Sequence, residues 1–201
     1  MNGRFIFLFE LDSVITKKRI LSEISGSIVK DKRNTVGEKY IDNGEIPFKH
    51  SFLQKADYLT KMPVSYVQKK MTNIELNDKV VEFIQKNKSR CYVITDYPDV
   101  WIDGLIKHIG IETHLYCSKA IVKDDYIEGA LMILNRNQII KQIQKPFVAV
   151  GNDDVDAEMI ELSTVGIGFG KHDNVASSVL ECATHAIYDE NRMVGFLERL
   201  V

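Results

Sequence analysis

A chain of 201 residues is longer than a minimal domain and shorter than two ordinary ones, which suits one main domain carrying a sizeable insertion. Its 45% hydrophobic and 27% charged residues describe an ordered globular protein, and 26 basic against 28 acidic residues, a formal charge of −2, leave no broad basic surface for nucleic acid. Cys91, Cys117 and Cys182 form neither a CxxC pair nor a zinc pattern, and residues 1–12 hold no cleavage site and no apolar run long enough to span a bilayer, so a cytoplasmic protein with no membrane partner is expected.

Residues 5–11 (FIFLFEL) are apolar and aromatic almost throughout, as a strand covered on both faces of a parallel sheet requires, and the run stops at Asp12-Ser13. A long stretch follows, residues 17–72, with helical apolar spacing and no comparable strand. Ile20, Ile24 and Ile28 fall on one face, and Phe48, Phe52, Ala56 and Leu59 on another. The basic clusters Lys17-Lys18-Arg19 and Lys30, Lys32, Arg33 read as solvated helix faces, while Asn43-Gly44 and Met62-Pro63 read as turns. The stretch is expected to form a small helical cap inserted after the first strand, with the core resuming in a helix over 76–86.

Strand-like runs return at 91–95 (CYVIT), 147–150 (FVAV) and 165–167. Asp124-Asp125, between Ile121-Val122 and Tyr126-Ile127, predicts a hairpin, and residues 136–144 predict a helix with Ile139, Ile140 and Ile143 inward. The alternation defines an α/β fold, a parallel Rossmann-like sheet flanked by helices, with a core over 1–16 and 73–201 and a cap over 17–72.

Ligands of open α/β sheets bind at the carboxyl ends of the strands. Four such places hold Glu10-Leu11-Asp12-Ser13-Val14, Thr95-Asp96, Arg136 at a helix start, and Gly151-Asn152-Asp153-Asp154-Val155-Asp156. Acids, a hydroxyl and a guanidinium converging on one crevice suit a divalent cation and a phosphoryl group, and Glu10, Thr95 and Asn152 should meet near one edge of the sheet. The glycine-rich residues 166–171 (GIGFGK) lack P-loop spacing and read as a strand end and turn. The five histidines show no paired-ligand spacing, and Trp101 reads as core.

The order of these motifs resembles the haloacid-dehalogenase superfamily: acid-x-Asp-x-Thr/Val after the first strand, Ser/Thr after the second, a basic residue, then a Gly-Asp-rich loop. Over nearly the whole chain it resembles the phosphoserine phosphatases. Residues 43–52 (NGEIPFKHSF) are similar to that family's Gly-x-x-x-Phe-x-x-Ser-Leu element, and Val148-Ala149-Val150-Gly151 with Asp156-Ala157-Glu158-Met159 to its last motif. The resemblance implies a small phosphorylated metabolite as substrate and magnesium as cofactor. It also implies a first acid that attacks phosphorus, a second that protonates the leaving alcohol, and Ser/Thr and Lys holding phosphate.

Carried over, Glu10 and Asp12 are the catalytic pair, with Glu10 acting as nucleophile or as a base positioning water. Ser13, Thr95, Asp96, Arg136, Arg19 and Lys55 are the substrate and phosphate residues, and Glu10, Asp12, Asn152, Asp153 and Asp156 the magnesium set. Glu10 stands where the family has Asp, and its extra methylene moves the oxygens by about 1 Å, enough to cost about a hundredfold in rate. Asn152 replaces the metal-binding Asp with a neutral oxygen that Asp153 or Asp154 would have to make good, and Val155 replaces an Asn. Arg136, or alternatively Lys141, takes the place of the phosphate-binding Lys. Arg19 falls where the family has a Glu for the substrate amine, and Leu53 where it has an Arg, with Lys55 the nearby basic residue. These exchanges disfavour phosphoserine and favour a substrate with a second anionic group. Two functions are therefore expected: a phosphomonoester hydrolase of altered specificity, or an inactive relative that binds an anionic metabolite or a protein partner.

Overall fold

The computed structural model describes residues 5–25, 61–144 and 146–201. Strand β1 (Ile6–Glu10) is followed by helices α1 (Ile20–Ser25), α2 (Val64–Met71) and α3 (Asp78–Lys86), then β2 (Cys91–Pro98) and α4 (Asp99–Ile109). A hairpin of β3 (Leu115–Lys123) and β4 (Tyr126–Met132) leads to α5 (Arg136–Gln142) and β5 (Phe147–Gly151). The chain closes through α6 (Ala157–Leu162), β6 (Val165–Phe169), α7 (Ser177–Cys182), β7 (His185–Ile187) and α8 (Glu190–Leu197).

The strands form one sheet in the order β4-β3-β2-β1-β5-β6-β7, parallel throughout except for the β3–β4 pair. Alternation along β1 sends Phe7 and Phe9 to one face, where both meet the ring of Phe83 edge-on, at 5.2 and 6.2 Å between centroids. Leu8 goes to the other face, among Ile94, Ala149, Met159 and Ile160. The uninterrupted apolar run of β1 thus reflects cover on both faces. Because β1 pairs with β2 on one side and β5 on the other, the order reverses at its carboxyl end, and a crevice opens there.

Leaving β1, the chain crosses its own return path. Thr16 forms an antiparallel bridge with Leu76, Lys17 N–H donates to the Glu75 carbonyl at 2.8 Å, and Asn77 N–H to that of Ile15 at 2.8 Å. Fully buried Asn77 also donates its side-chain amide to the Val14 carbonyl at 2.9 Å. Asn77→Ala is expected to leave that carbonyl unsatisfied and to lower stability by roughly 1–3 kcal/mol in urea unfolding, with no change in m-value.

Ile20 and Ile24 of α1 are buried together, as their spacing predicts. Helix α2 packs on α4, and its Val64, Val67 and Met71 join the same cluster as Phe9 and Trp101. Expectations for Ile28, Asn43-Gly44, Phe48, Phe52, Ala56 and Leu59 lie outside the described residues.

The hairpin turns at Asp124 and Asp125, both left-handed (φ 49° and 69°), as a two-residue turn matched to strand twist requires. Strand β2 continues past Thr95 to Pro98. Gly166 and Gly168 lie inside β6 rather than in a turn. A Cβ at Gly166 would come within 2.7 Å of Ile160, and one at Gly168 within 2.9 Å of Val175, so close packing by α6 and by the segment leading into α7 explains these glycines.

Candidate active site

Glu10 closes β1, Thr95 and Asp96 lie on β2 one and two residues beyond the Glu10–Ile94 pair, and Asn152 follows β5. All four border one cavity of about 310 Å³, together with Asp12, Ser13, Arg19, Arg136, Asp153 and Val155. Lys55 and Leu53 lie outside the described residues. Lys141 does not border the cavity; it sits on the exposed side of α5, 3.7 Å from Glu158.

Arg136 is the first residue of α5, a helix capped by the Asn135 side chain, which accepts from Gln138 N–H. This start aims the guanidinium into the crevice, where it is 6% exposed and meets three carboxylates. Nη2 donates to Glu10 Oε2, Nε to Asp96 Oδ1 at 3.0 Å and Nη1 to Asp156 Oδ1 at 3.1 Å. Burial opposes its charge, but the three acids outweigh burial and hold it firmly protonated.

Glu10 is 4% exposed, and burial pushes its carboxyl up to about 8 while Arg136 pulls the other way. Its second oxygen accepts from Leu11 N–H at 2.8 Å. Asp156, fully buried, is likewise raised by burial against Arg136, and its Oδ2 accepts from Asn152 and Asp153 N–H at 2.9 and 3.0 Å. Gly151 permits this: a Cβ there would fall 2.6 Å from that of Asp156.

Asp12 turns toward the start of α1, with Oδ1 accepting from Ile20 N–H at 2.9 Å and Oδ2 from the Tyr97 hydroxyl at 2.8 Å. Burial and the Asp12 carboxylate keep the Tyr97 phenol well above its usual value, so it remains a donor. Arg19 is committed to acids rather than open to a ligand: it pairs with Asp173 at 2.6 Å and Asp153 at 3.0 Å. Ser13 holds a left-handed φ of 57°, with its N–H donating to the Thr16 hydroxyl at 3.1 Å. Asp154 is exposed and accepts from Ser178 at 2.5 Å.

Further residues line the wall. Lys119 is exposed on β3 and makes no ion pair among the described residues. Tyr97 and Trp101 supply apolar surface together with Leu21, Ile127 and Ile133. Trp101 is both core and wall, 1% exposed, and its indole N–H lacks a partner among the described residues, as does the fully buried Thr95 hydroxyl. Only the closeness of Tyr97 and Trp101 to Thr95-Asp96 pointed toward them; nothing in the sequence around Lys119 did.

The residues expected to hold magnesium do not suit it in this arrangement. Each oxygen of Glu10, Asp12, Asp153 and Asp156 already accepts an internal hydrogen bond, and Asn152 is neutral. Among the described residues, no group of three or more His, Cys, Asp or Glu side chains is arranged as a metal site. Nor is any helix there long and apolar enough to cross a membrane.

No family model matches the chain, and no curated protein matches it by sequence. Solved structures do. A phospho-aspartyl intermediate analogue of phosphoserine phosphatase aligns with TM-score 0.76 and 20% identity, over 97% of this chain and 99% of that one. A phosphoserine phosphohydrolase-like protein from Francisella tularensis gives 0.75 and 18%, over 96% and 99%. A haloacid-dehalogenase-family hydrolase from Salmonella enterica serovar Typhi gives 0.77 and 16%, over 96% and 71%. The chain has the fold of the haloacid-dehalogenase superfamily. The likeness in fold to phosphoserine phosphatase runs along nearly its whole length.

Proposed function

We propose that this protein is a phosphatase-type hydrolase acting on a small phosphorylated metabolite, with a core over 1–16 and 73–201 and a cap over 17–72. The observation that carries the reading is the fully buried Thr95 hydroxyl on the cavity wall, without a partner among the described residues, beside the Glu10–Arg136 pair. A buried hydroxyl left unpaired costs about 1–3 kcal/mol, and an incoming phosphoryl oxygen removes that cost. Three of the five N–H groups of Arg136 are spent on acids, and the rest remain for the same oxygen.

In hydrolysis, with Asp12 protonated at the outset, ionised Glu10 bonds to phosphorus as the ester P–O bond breaks, and a water that gives its proton to Asp12 then breaks the Glu10–phosphorus bond and frees phosphate; alternatively, a water that Glu10 deprotonates attacks the ester directly. Asp12 gives the leaving alcohol its proton. Tyr97 and the Ile20 N–H fix the direction of Asp12. With Arg19 bound to Asp153 and Asp173, Lys119 is the cation that would meet a second anionic group, while Leu21, Trp101 and Ile133 suit an apolar body. A second reading, binding without turnover, is favoured by one feature: both Glu10 oxygens already carry donors, which ties up the attacking lone pairs.

A screen of phosphorylated metabolites, with and without magnesium, tests both. Phosphoserine is expected to be a poor substrate. Glu10→Asp, which shortens the side chain, should raise turnover of the preferred ester, and Asp12→Asn should abolish it. Brisk phosphoserine hydrolysis would overturn the specificity argument, and binding of a metabolite without turnover by any form would establish the second reading.

A further inference from the structure

We infer that the guanidinium of Arg136 serves as a built-in cation among the acids expected to hold a divalent metal ion in a phosphatase of this fold, so that the crevice acids are gathered around a cation without magnesium. The inference rests on reading the crevice as a phosphatase-type site.

Three segments supply the acids around Arg136: the end of β1 (Glu10), β2 (Asp96) and the loop after β5 (Asp156). All three acids are residues that the family resemblance assigns to metal or phosphate. Each acid meets a different nitrogen of the fork, so the guanidinium lies at their common centre rather than at the edge of the group. A lysine would bring one compact charge and could not bridge three carboxylates in three directions.

The chain itself fixes the acids in this pose. Glu10 Oε1 is held by the Leu11 N–H, and Asp156 Oδ2 by the N–H groups of Asn152 and Asp153, which leaves the other oxygen of each facing Arg136. Arg136 is delivered by the backbone of a capped helix start, where a cation gains nothing from the helix dipole. Its burial there is therefore stabilised by the acids. A magnesium ion needs near-octahedral oxygen ligands at about 2.0–2.1 Å, and reaching Glu10 and Asp156 would require it to displace a guanidinium bonded to both. Asn152 fits the same account, because it brings one negative charge fewer to a centre served by a singly charged cation.

The test begins with the native chain, by calorimetric titration with magnesium chloride and by melting in EDTA against millimolar magnesium. No binding heat and an unchanged Tm are expected; saturable uptake or a Tm raised by magnesium overturns the inference. Arg136→Ala exposes the three acids to one another, and magnesium is expected to raise its Tm by several degrees or to restore its folding. A folded variant that ignores magnesium also overturns the inference, since the acids then form no cation site. Should Arg136→Ala fold in neither medium, Arg136→Lys carries the same test: its ammonium cannot bridge three acids, so a Tm rise with magnesium is expected, and its absence is decisive against. Magnesium-dependent turnover by the native chain would defeat this inference and leave the hydrolase reading standing. Failure to hydrolyse any phosphomonoester would remove that reading and leave the calorimetric result intact.

Discussion

Arg136→Met is expected to lower the free energy of unfolding by roughly 3–5 kcal/mol at neutral pH, read from urea midpoints at constant m-value. Methionine keeps most of the length and the apolar stem, so the loss isolates the charge and its hydrogen bonds. Glu10, Asp96 and Asp156 would be left facing one another, two of them almost wholly buried. Uncompensated buried carboxylates escape that cost by taking up protons, so the deficit should shrink as pH falls. Adding Asp96→Asn to Arg136→Met removes one of the stranded acids and should recover part of the loss, a non-additivity expected of groups in direct contact. A loss below about 1 kcal/mol would mean that the guanidinium and its acids are no better placed together than apart in water.

The second large effect is a pH dependence carried by Glu10. In the folded protein its carboxyl holds its proton up to about pH 8, whereas in the unfolded chain it gives the proton up near 4.5. Between those values the folded state binds more protons than the unfolded one, so stability falls as pH rises. The contribution is fully present below pH 4.5 and lost once pH passes about 8, on the order of 5 kcal/mol across the window. Asp156, also raised by burial, adds to the same slope, while Glu190, lowered by Lys171 and the α3 N–H groups against its burial, acts at more acid pH with the opposite sign. The readout is therefore the difference between native and Glu10→Gln unfolding curves at several pH values. The variant should lose most of the slope between pH 5 and 8, whatever constant offset the amide introduces. A native slope that survives in Glu10→Gln would assign the titration to another group.

Much of the fold could be read from pattern alone because it rests on burial. The run at 5–11 could only be satisfied between two covered faces, and Asp124-Asp125 tolerate the left-handed angles that a tight hairpin needs. Strand β7 left no trace, since three residues pairing at a sheet edge carry no periodicity. Residues 166–171 read as a strand end and turn, and β6 ends at Phe169 just before Gly170; what the sequence does not show is that Ile160 and Val175 press on the backbone at Gly166 and Gly168.

Which side chains meet at the strand ends was legible from their order; how they pair was not. Arg19 looked open to an anion, yet Asp153 and Asp173, more than 130 positions away in the chain, claim it. Arg136 was expected to face phosphate, whereas most of its hydrogen-bonding capacity goes to acids. Charge pairing across distant segments depends on fractions of an ångström that residue order does not encode.

The bridge between Thr16 and Leu76 bears on how such a protein can diversify. The two ends of the intervening segment are brought together by the sheet domain's own hydrogen bonds, with Asn77 locking the return. Closing a flexible connection between ends already held costs only about 0.6 kcal/mol for each doubling of its length. A change of length in the middle of that segment is thus cheap for the strands that carry Glu10 and Thr95, whereas Ile20, Ile24, Val64, Val67 and Met71, packed in the same cluster as Phe9, must keep their places.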